Sequence, residues 1–121
     1  MKLPGATLML AAIAAAAGCG GSGAPPRPPG PGEIVMTEYA FSPRDASAKR
    51  GAELTVRNEG QIAHNLTVER PDSTDRLIGT DTMVSGRSAK LDLDVPPGRY
   101  TIVCTVPGHE QRGMAGTLRV R

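Results

Sequence analysis

The sequence predicts an all-β fold, a two-sheet Greek-key β-sandwich of about seven to eight strands, for residues 33–121. Short apolar and β-branched runs recur at close spacing, and turn residues separate them. No window sustains the 3.6-residue apolar period of an amphipathic helix. The run KLDLDV at 90–95 alternates charged and apolar residues, which predicts one buried face and one wet face.

Seven segments are predicted as strands, and turn chemistry separates them in order along the chain. The strand 34–41 opens the domain, 53–58 ends at Asn58-Glu59-Gly60, and 65–70 ends at Pro-Asp. The next strand, 77–84, ends at Ser-Gly. The last three predicted strands are 89–95 and 100–106, which flank Pro-Pro-Gly, and 116–121.

The period of two in the strand 100–106 places Tyr100, Ile102 and Cys104 on the inner side. Thr105 then lies on the outer side. Tyr100 resembles the tyrosine corner of sandwich proteins, which is a structural feature. A buried lone cysteine is most often a small hydrophobe, so this position alone indicates no function.

Composition and charge exclude a nucleic-acid-binding role. The chain of 121 residues has 0 Trp, 2 Tyr and 1 Phe, so it offers no aromatic platform for stacking bases. Its formal net charge of +2 arises from Lys2 and Arg27, because the residues from 33 onward carry equal numbers of acidic and basic side chains. A field that gathers polyanions is therefore absent.

The N-terminal residues are typical of an export signal and a tether. Residues 1–18 combine an early lysine, an apolar Ala-rich stretch and small residues, which predicts a signal peptide and an exported protein. The segment Ala16-Ala17-Gly18-Cys19 resembles a bacterial lipoprotein box, so Cys19 is the predicted lipidation site; signal cleavage near Ala17 is the alternative. Residues 19–32, which begin with Cys19 and are rich in Gly and Pro, are the predicted tether to the membrane. The protein is accordingly predicted to lie in the periplasm or at the cell surface.

One constellation carries chemistry. Cys104, His109 and Met114 follow the spacing C-x4-H-x4-M, with glycines between them, and His64 is the other histidine of the chain. Two imidazoles, one thiolate and one thioether are the donor set of a blue-copper site, His2Cys with a weak axial Met. Zinc is disfavoured because structural zinc sites usually show paired cysteines.

The sequence resembles the cupredoxin (blue copper) family, of the plastocyanin and plantacyanin kind. The resemblance is densest over residues 100–116, and the C-x4-H-x4-M spacing is similar to the plantacyanin type. It implies that His64, Cys104 and His109 are equatorial ligands of one copper ion that alternates between Cu(I) and Cu(II), and that Met114 is the axial ligand.

Two residues are predicted to support the ligands. Asn65 resembles the family asparagine whose side chain ties the two ligand loops together, and Thr105, which follows the cysteine, is expected beside it. An asparagine that starts a turn is the alternative interpretation of Asn65.

The sequence thus predicts a monomeric type 1 copper protein, not an enzyme, that carries single electrons between exported redox proteins or respiratory complexes. His109 is the predicted electron port, in a small apolar docking patch with Pro107, Gly108, Met114 and Ala115. Two alternatives stay open, a carrier or storage protein that delivers copper to an oxidase, and a metal-free structural sandwich. A cysteine nucleophile is disfavoured because the thiol faces inward.

Overall fold

The computed structural model describes residues 25–121, in which two β-sheets pack face to face. The predicted signal peptide (1–18), Cys19 and the beginning of the tether lie outside the described residues. Among residues 25–121, the structure shows no helix whose length and hydropathy would let it span a bilayer.

The described residues contain nine strands and one 3-10 helix, which spans Glu110–Arg112. The strands are β1 (Glu33–Thr37), β2 (Ala40–Ser42), β3 (Asp45–Ala48), β4 (Glu53–Asn58), β5 (Thr67–Glu69), β6 (Arg76–Gly79), β7 (Ser88–Asp92), β8 (Gly98–Val103) and β9 (Ala115–Val120).

Both sheets are mixed. The strand order is β2-β1-β4-β7 in the first sheet and β3-β9-β8-β5-β6 in the second. β1 pairs with β4 in parallel, and β3 pairs with β9 in parallel; the other pairs are antiparallel. The predicted all-β sandwich is therefore confirmed, with nine strands where about seven to eight were expected.

The core lies between the sheets and is built almost entirely from aliphatic side chains. Alternation along each strand brings these side chains inward, as the prediction for 90–95 required, and Leu91, Leu93 and Val95 are buried. The buried core also includes residues from both sheets: Ile34, Met36, Phe41, Leu54, Val56, Leu66, Val68, Ile102, Leu118 and Val120. Burial of this apolar surface is the main term that stabilises the sandwich.

Two strand predictions were wrong at the start of the domain. The predicted strand 34–41 is a hairpin of β1 and β2, because the chain turns at Glu38-Tyr39 and Tyr39 adopts a φ of 61°. That conformation is rare for a residue with a Cβ, and no glycine marks it in the sequence. β3 was missed, since its sequence DASA lacks large apolar residues and the strand depends on pairing with β9.

The predicted strands 77–84, 89–95 and 100–106 continue beyond the observed ends of β6, β7 and β8. β8 ends at Val103 because the next residue, Cys104, bonds outside the regular ladder between β8 and β9. The Cys104 amide donates to the Met114 carbonyl at 3.1 Å, so the chain leaves the regular ladder where the loop to β9 folds back.

The described part of the tether contacts the first sheet. The Arg27 guanidinium binds the Glu33 carboxylate at 3.0 Å, and the Arg27 amide donates to Glu59 at 2.8 Å. Arg57 in turn pairs with Glu59 and donates to the Arg27 carbonyl. These contacts attach the tether to β1 and β4, which shortens the part of it that can act as a spacer.

Candidate metal centre

Three donor atoms converge at one end of the sandwich. His64 Nδ1 and His109 Nδ1 lie 3.1 Å apart, and Cys104 Sγ lies 3.5 Å from His109 Nδ1. Ligand atoms of these three residues all lie within 4.8 Å of one another. His64 and Cys104 are 0% exposed and His109 is 7% exposed.

His64 is held in place by a short antiparallel bridge. Its amide donates to the Met83 carbonyl at 3.1 Å, and the Met83 amide donates back at 2.8 Å. The buried Asn58 side chain shapes the loop before it, because Nδ2 donates to the carbonyls of Ile62 and Met83 and Oδ1 accepts from the Gly60 amide. The sequence interpretation assigned Asn58 only to a turn and missed this role.

Asn65 joins the segment of His64 to the segment of Cys104. Its Oδ1 accepts from the Thr105 amide at 2.9 Å, and its Nδ2 donates to the hydroxyls of Thr105 at 2.9 Å and Thr82 at 3.0 Å. The Asn65 amide also donates to Cys104 Sγ at 3.5 Å. A hydrogen bond to the sulfur stabilises the charge of a thiolate, so Asn65 both fixes the two segments and polarises the donor.

The loop between β8 and β9 presents His109. The His109 amide donates to the Val106 carbonyl at 3.0 Å, and the His109 carbonyl accepts from the Met114 amide at 3.1 Å. Gly113 ends the 3-10 helix with a φ of 101°, a conformation that a residue with a Cβ adopts only with strain. The loop is therefore closed by its own backbone hydrogen bonds.

Met114 lies in the core, 0% exposed, and its carbonyl and amide contact Cys104 and His109 through the backbone bonds just described. The prediction that Met114 belongs to an apolar docking patch is therefore wrong, because its side chain is fully buried and offers no surface. Of the other predicted members, Pro107 and Gly108 are exposed and Ala115 is half-buried.

The turn between β1 and β2 contacts both histidines, and sequence reasoning missed it. Glu38 Oε1 lies 3.2 Å from His64 Nε2. The Tyr39 ring meets the His109 ring edge to face, with centroids 5.1 Å apart. The Arg112 guanidinium lies over the Tyr39 ring and donates to its hydroxyl at 2.9 Å, which fixes this ring beside His109.

The electrostatics favour a neutral imidazole at His109. Burial, and then repulsion from His64 and Arg112, lower the pKa of His109 from its usual value. Desolvation acts to raise the pKa of Glu38, but hydrogen bonds from Ile62, His64 and Gln61 lower it overall, so this carboxylate is negative at neutral pH. A neutral imidazole is the form that binds a metal ion.

The donor set fits a copper ion. Two nitrogen donors about 2.0 Å from one ion lie at most about 4.0 Å apart, and a nitrogen and a sulfur at about 2.3 Å lie at most about 4.3 Å apart. The distances from His109 Nδ1 to His64 Nδ1 and to Cys104 Sγ lie within these limits. Thiolate and imidazole are ligands that copper binds in both oxidation states of a blue-copper site.

Comparison with known proteins agrees with this chemistry. Residues 33–121 match the model of the copper binding proteins of the plastocyanin/azurin family. The chain belongs to this family. As a family member it binds one copper ion, which confirms the predicted cofactor and the predicted cupredoxin resemblance.

Individual relatives show the same relationship. Auracyanin-B of Chloroflexus aurantiacus is 41% identical to this chain over 59 residues. The aligned residues are 48% of this chain and 25% of Auracyanin-B. The match thus spans about a quarter of the curated relative's length. Two solved structures share the cupredoxin fold with TM-scores of 0.62, an auracyanin of Roseiflexus castenholzii and a purple cupredoxin of Nitrosopumilus maritimus. They are 23% and 18% identical, and the alignments cover 74% of this chain and 94% and 98% of theirs.

Proposed function

We propose that the chain is a mononuclear type 1 copper protein that carries single electrons and catalyses no reaction of its own. His64, Cys104 and His109 would hold the ion, with Met114 as a weaker fourth donor, and this set would supply the thiolate and imidazole ligation of a type 1 site. The observation that carries the proposal is the convergence of three buried donor atoms on one point, with imidazoles and a thiol in the same cluster. The bound ion supplies the couple between Cu(II) and Cu(I).

The site suits an electron carrier because hydrogen bonds hold each of the three clustered donor residues in place. Met83 holds His64, Asn65 contacts the Cys104 sulfur, and the loop backbone closes on His109. Donors fixed in this way move little when the charge of the ion changes, and a small rearrangement favours rapid electron exchange. The same closed set disfavours the alternative of a copper carrier, which must release its ion.

A titration with Cu(II) tests the ligand set. The parent is expected to develop an intense thiolate-to-copper band in the visible spectrum at one equivalent of copper, and Cys104→Ser is expected to abolish it. Cys19→Ser is the matched control, since it removes the other cysteine of the chain and leaves the band in place. A band that survives Cys104→Ser contradicts the proposal.

Electron carrier and copper carrier are separated by kinetics. The loaded protein is expected to exchange electrons rapidly with a small redox reagent in stopped flow, and to lose copper slowly to a chelator. Rapid loss of copper with slow electron exchange would favour the carrier.

His109 is the proposed electron port because it is the candidate ligand that reaches the surface, beside the exposed Pro107 and Gly108. Ala115→Asp is expected to slow exchange with a protein partner without loss of copper. Ser47→Asp is the control, at an exposed residue of β3 that pairs with Arg119, far along β9 from Ala115. Equal rates in the two variants would exclude this port.

The setting of the protein is part of the proposal. Its partners are exported redox proteins or respiratory complexes, and the protein acts as a monomer held to the membrane through Cys19. Support comes from the N-terminal sequence, 1–18 with Cys19, which lies outside the described residues. Mass spectrometry of the mature protein tests it, because lipidation predicts an acylated Cys19 as the first residue.

A further inference from the structure

The outer nitrogen of His64 has a carboxylate partner. His64 Nδ1 points into the donor cluster, 3.1 Å from His109 Nδ1, and its Nε2 lies 3.2 Å from Glu38 Oε1. The imidazole itself is fully buried. Since a carboxylate only accepts, Nε2 must carry the proton, and Nδ1 is left with its lone pair toward the cluster.

Glu38 is itself fixed by the loop that carries His64. Its Oε1 accepts from the Gln61 amide at 2.6 Å and from the Ile62 amide at 3.2 Å. Within residues 25–121, no Lys or Arg pairs with this carboxylate, and its partner is the His64 imidazole. The Glu38 side chain is 37% exposed, so solvent screens part of its charge, and the fully buried imidazole is the partner on its protein side.

Gly60 leaves room for this pair. A Cβ at Gly60 would lie 2.9 Å from His64 Nε2 and would also overlap Glu38 Oε1. Its backbone does not have a positive φ, so close approach and not conformational freedom explains the glycine. Any larger residue at position 60 would therefore disturb the contact between Glu38 and His64.

We propose that Glu38 is a positioning residue for the copper ligand His64, which fixes its tautomer and lowers the reduction potential of the site. The carboxylate holds Nε2–H and thereby orients Nδ1 toward the ion. A negative partner on the outer nitrogen makes the imidazole a stronger donor, and a stronger donor stabilises Cu(II) more than Cu(I). The proposal rests on the electron-transfer function proposed above and deepens it.

The test compares Glu38→Gln with Glu33→Gln in the full chain loaded with one equivalent of copper. Both changes remove one negative charge, but Glu33 lies at the opposite end of β1, about 16 Å away along the strand at about 3.3 Å per residue. Glutamine keeps a carbonyl oxygen that can accept from His64 Nε2 and removes the negative charge. We expect Glu38→Gln to shift the Cu(II)/Cu(I) equilibrium about tenfold toward Cu(I), about 59 mV in a redox titration, and Glu33→Gln to leave it unchanged.

Glu38→Ala separates orientation from charge. This variant removes the acceptor altogether, and we expect a loss of copper affinity of about 10- to 100-fold, the usual effect of removing such a partner. Glu38→Gln is expected to restore most of that affinity while keeping the raised potential. A purely structural role would lower the unfolding temperature of both variants and leave the potential unchanged, which would overturn the proposal.

Proton and nitrogen NMR of the parent in the Cu(I) form gives a readout that is independent of electron transfer. The Nε2 proton of His64 is expected downfield in the parent, shifted upfield in Glu38→Gln and unchanged in Glu33→Gln. A resonance that does not respond to Glu38→Gln overturns the proposal even where no variant alters copper loading. Failure of the proposed function has a different signature, since a protein that exchanges no electrons with partners would still show these shifts.

Discussion

Replacing Asn65 by alanine is expected to destabilise the protein severely, because this side chain connects two separate segments of the site. The substitution removes the bonds to the Thr105 amide, the Thr105 hydroxyl and the Thr82 hydroxyl, at 2.9, 2.9 and 3.0 Å. Asn65 is 6% exposed, but Thr82 and Thr105 are exposed, so water can partly replace the bonds to the two hydroxyls. At about 1 kcal/mol for each bond, the loss is at most about 3 kcal/mol, which corresponds to a fall in Tm of at most about 12–24 °C for a domain of this size.

Unfolding by urea and by heat, followed by circular dichroism in the presence of a chelator, measures this loss. A double-mutant cycle with Thr105→Val isolates the hydroxyl contact and is expected to give a coupling energy of about 1 kcal/mol. Thr117→Val is the control, because the Thr117 hydroxyl bonds only to Asp45 and its effect should add to that of Asn65→Ala. A loss below about 1 kcal/mol, or no coupling with Thr105, would refute the assignment of Asn65 as the link between the loops.

Three further substitutions test other parts of the molecule. Tyr100→Phe removes the hydrogen bond from the hydroxyl to the Pro96 carbonyl, and we expect a loss of about 1 kcal/mol in urea unfolding. Desolvation, followed by repulsion from Glu110, raises the pKa of Glu69, so its ionised form destabilises the folded state. Glu69→Gln should therefore stabilise the protein at pH 7, and the gain should disappear as the pH falls through the raised pKa to below about 4.3, where both folded and unfolded chains are protonated. Met114→Gln should keep the visible band and lower the potential, because an amide oxygen is a harder donor than a thioether.

The sequence predicted the parts of the fold in which local pattern and tertiary contact agree. β4 has the predicted bounds, 53–58, because its alternating side chains and its turn at Asn58 are both visible in the sequence. The turn at Tyr39 and the strand β3 could not be predicted, since each depends on partners distant in sequence. The Tyr39 ring packs against His109 and Arg112, and β3 pairs with β9.

The same distinction applies to the site. The donors were visible because chemistry restricts which residue types bind copper, and the spacing of Cys104, His109 and Met114 places them on one loop. Glu38 was invisible, because a single glutamate in a polar turn matches no pattern and its role exists only through its contact with His64. The burial of Met114, which removes it from the predicted docking patch, follows likewise from how the loop folds back onto β8.

The core of the sandwich and its loops have different roles in the site. The strands supply rigidity through an aliphatic core, but each of the three clustered donors lies at or beyond a strand end. Met83 and Asn65, from other segments, hold His64 and the Cys104 sulfur, and His109 is held by the backbone of its own loop. A change in one loop can therefore reach the donors through a specific hydrogen bond. It follows that substitutions at Glu38, Asn65 and Arg112 should alter the potential or the copper affinity, whereas substitutions of comparable size in the core, such as Leu93→Ala, should lower stability by about 2–5 kcal/mol and leave the visible band of the folded protein unchanged.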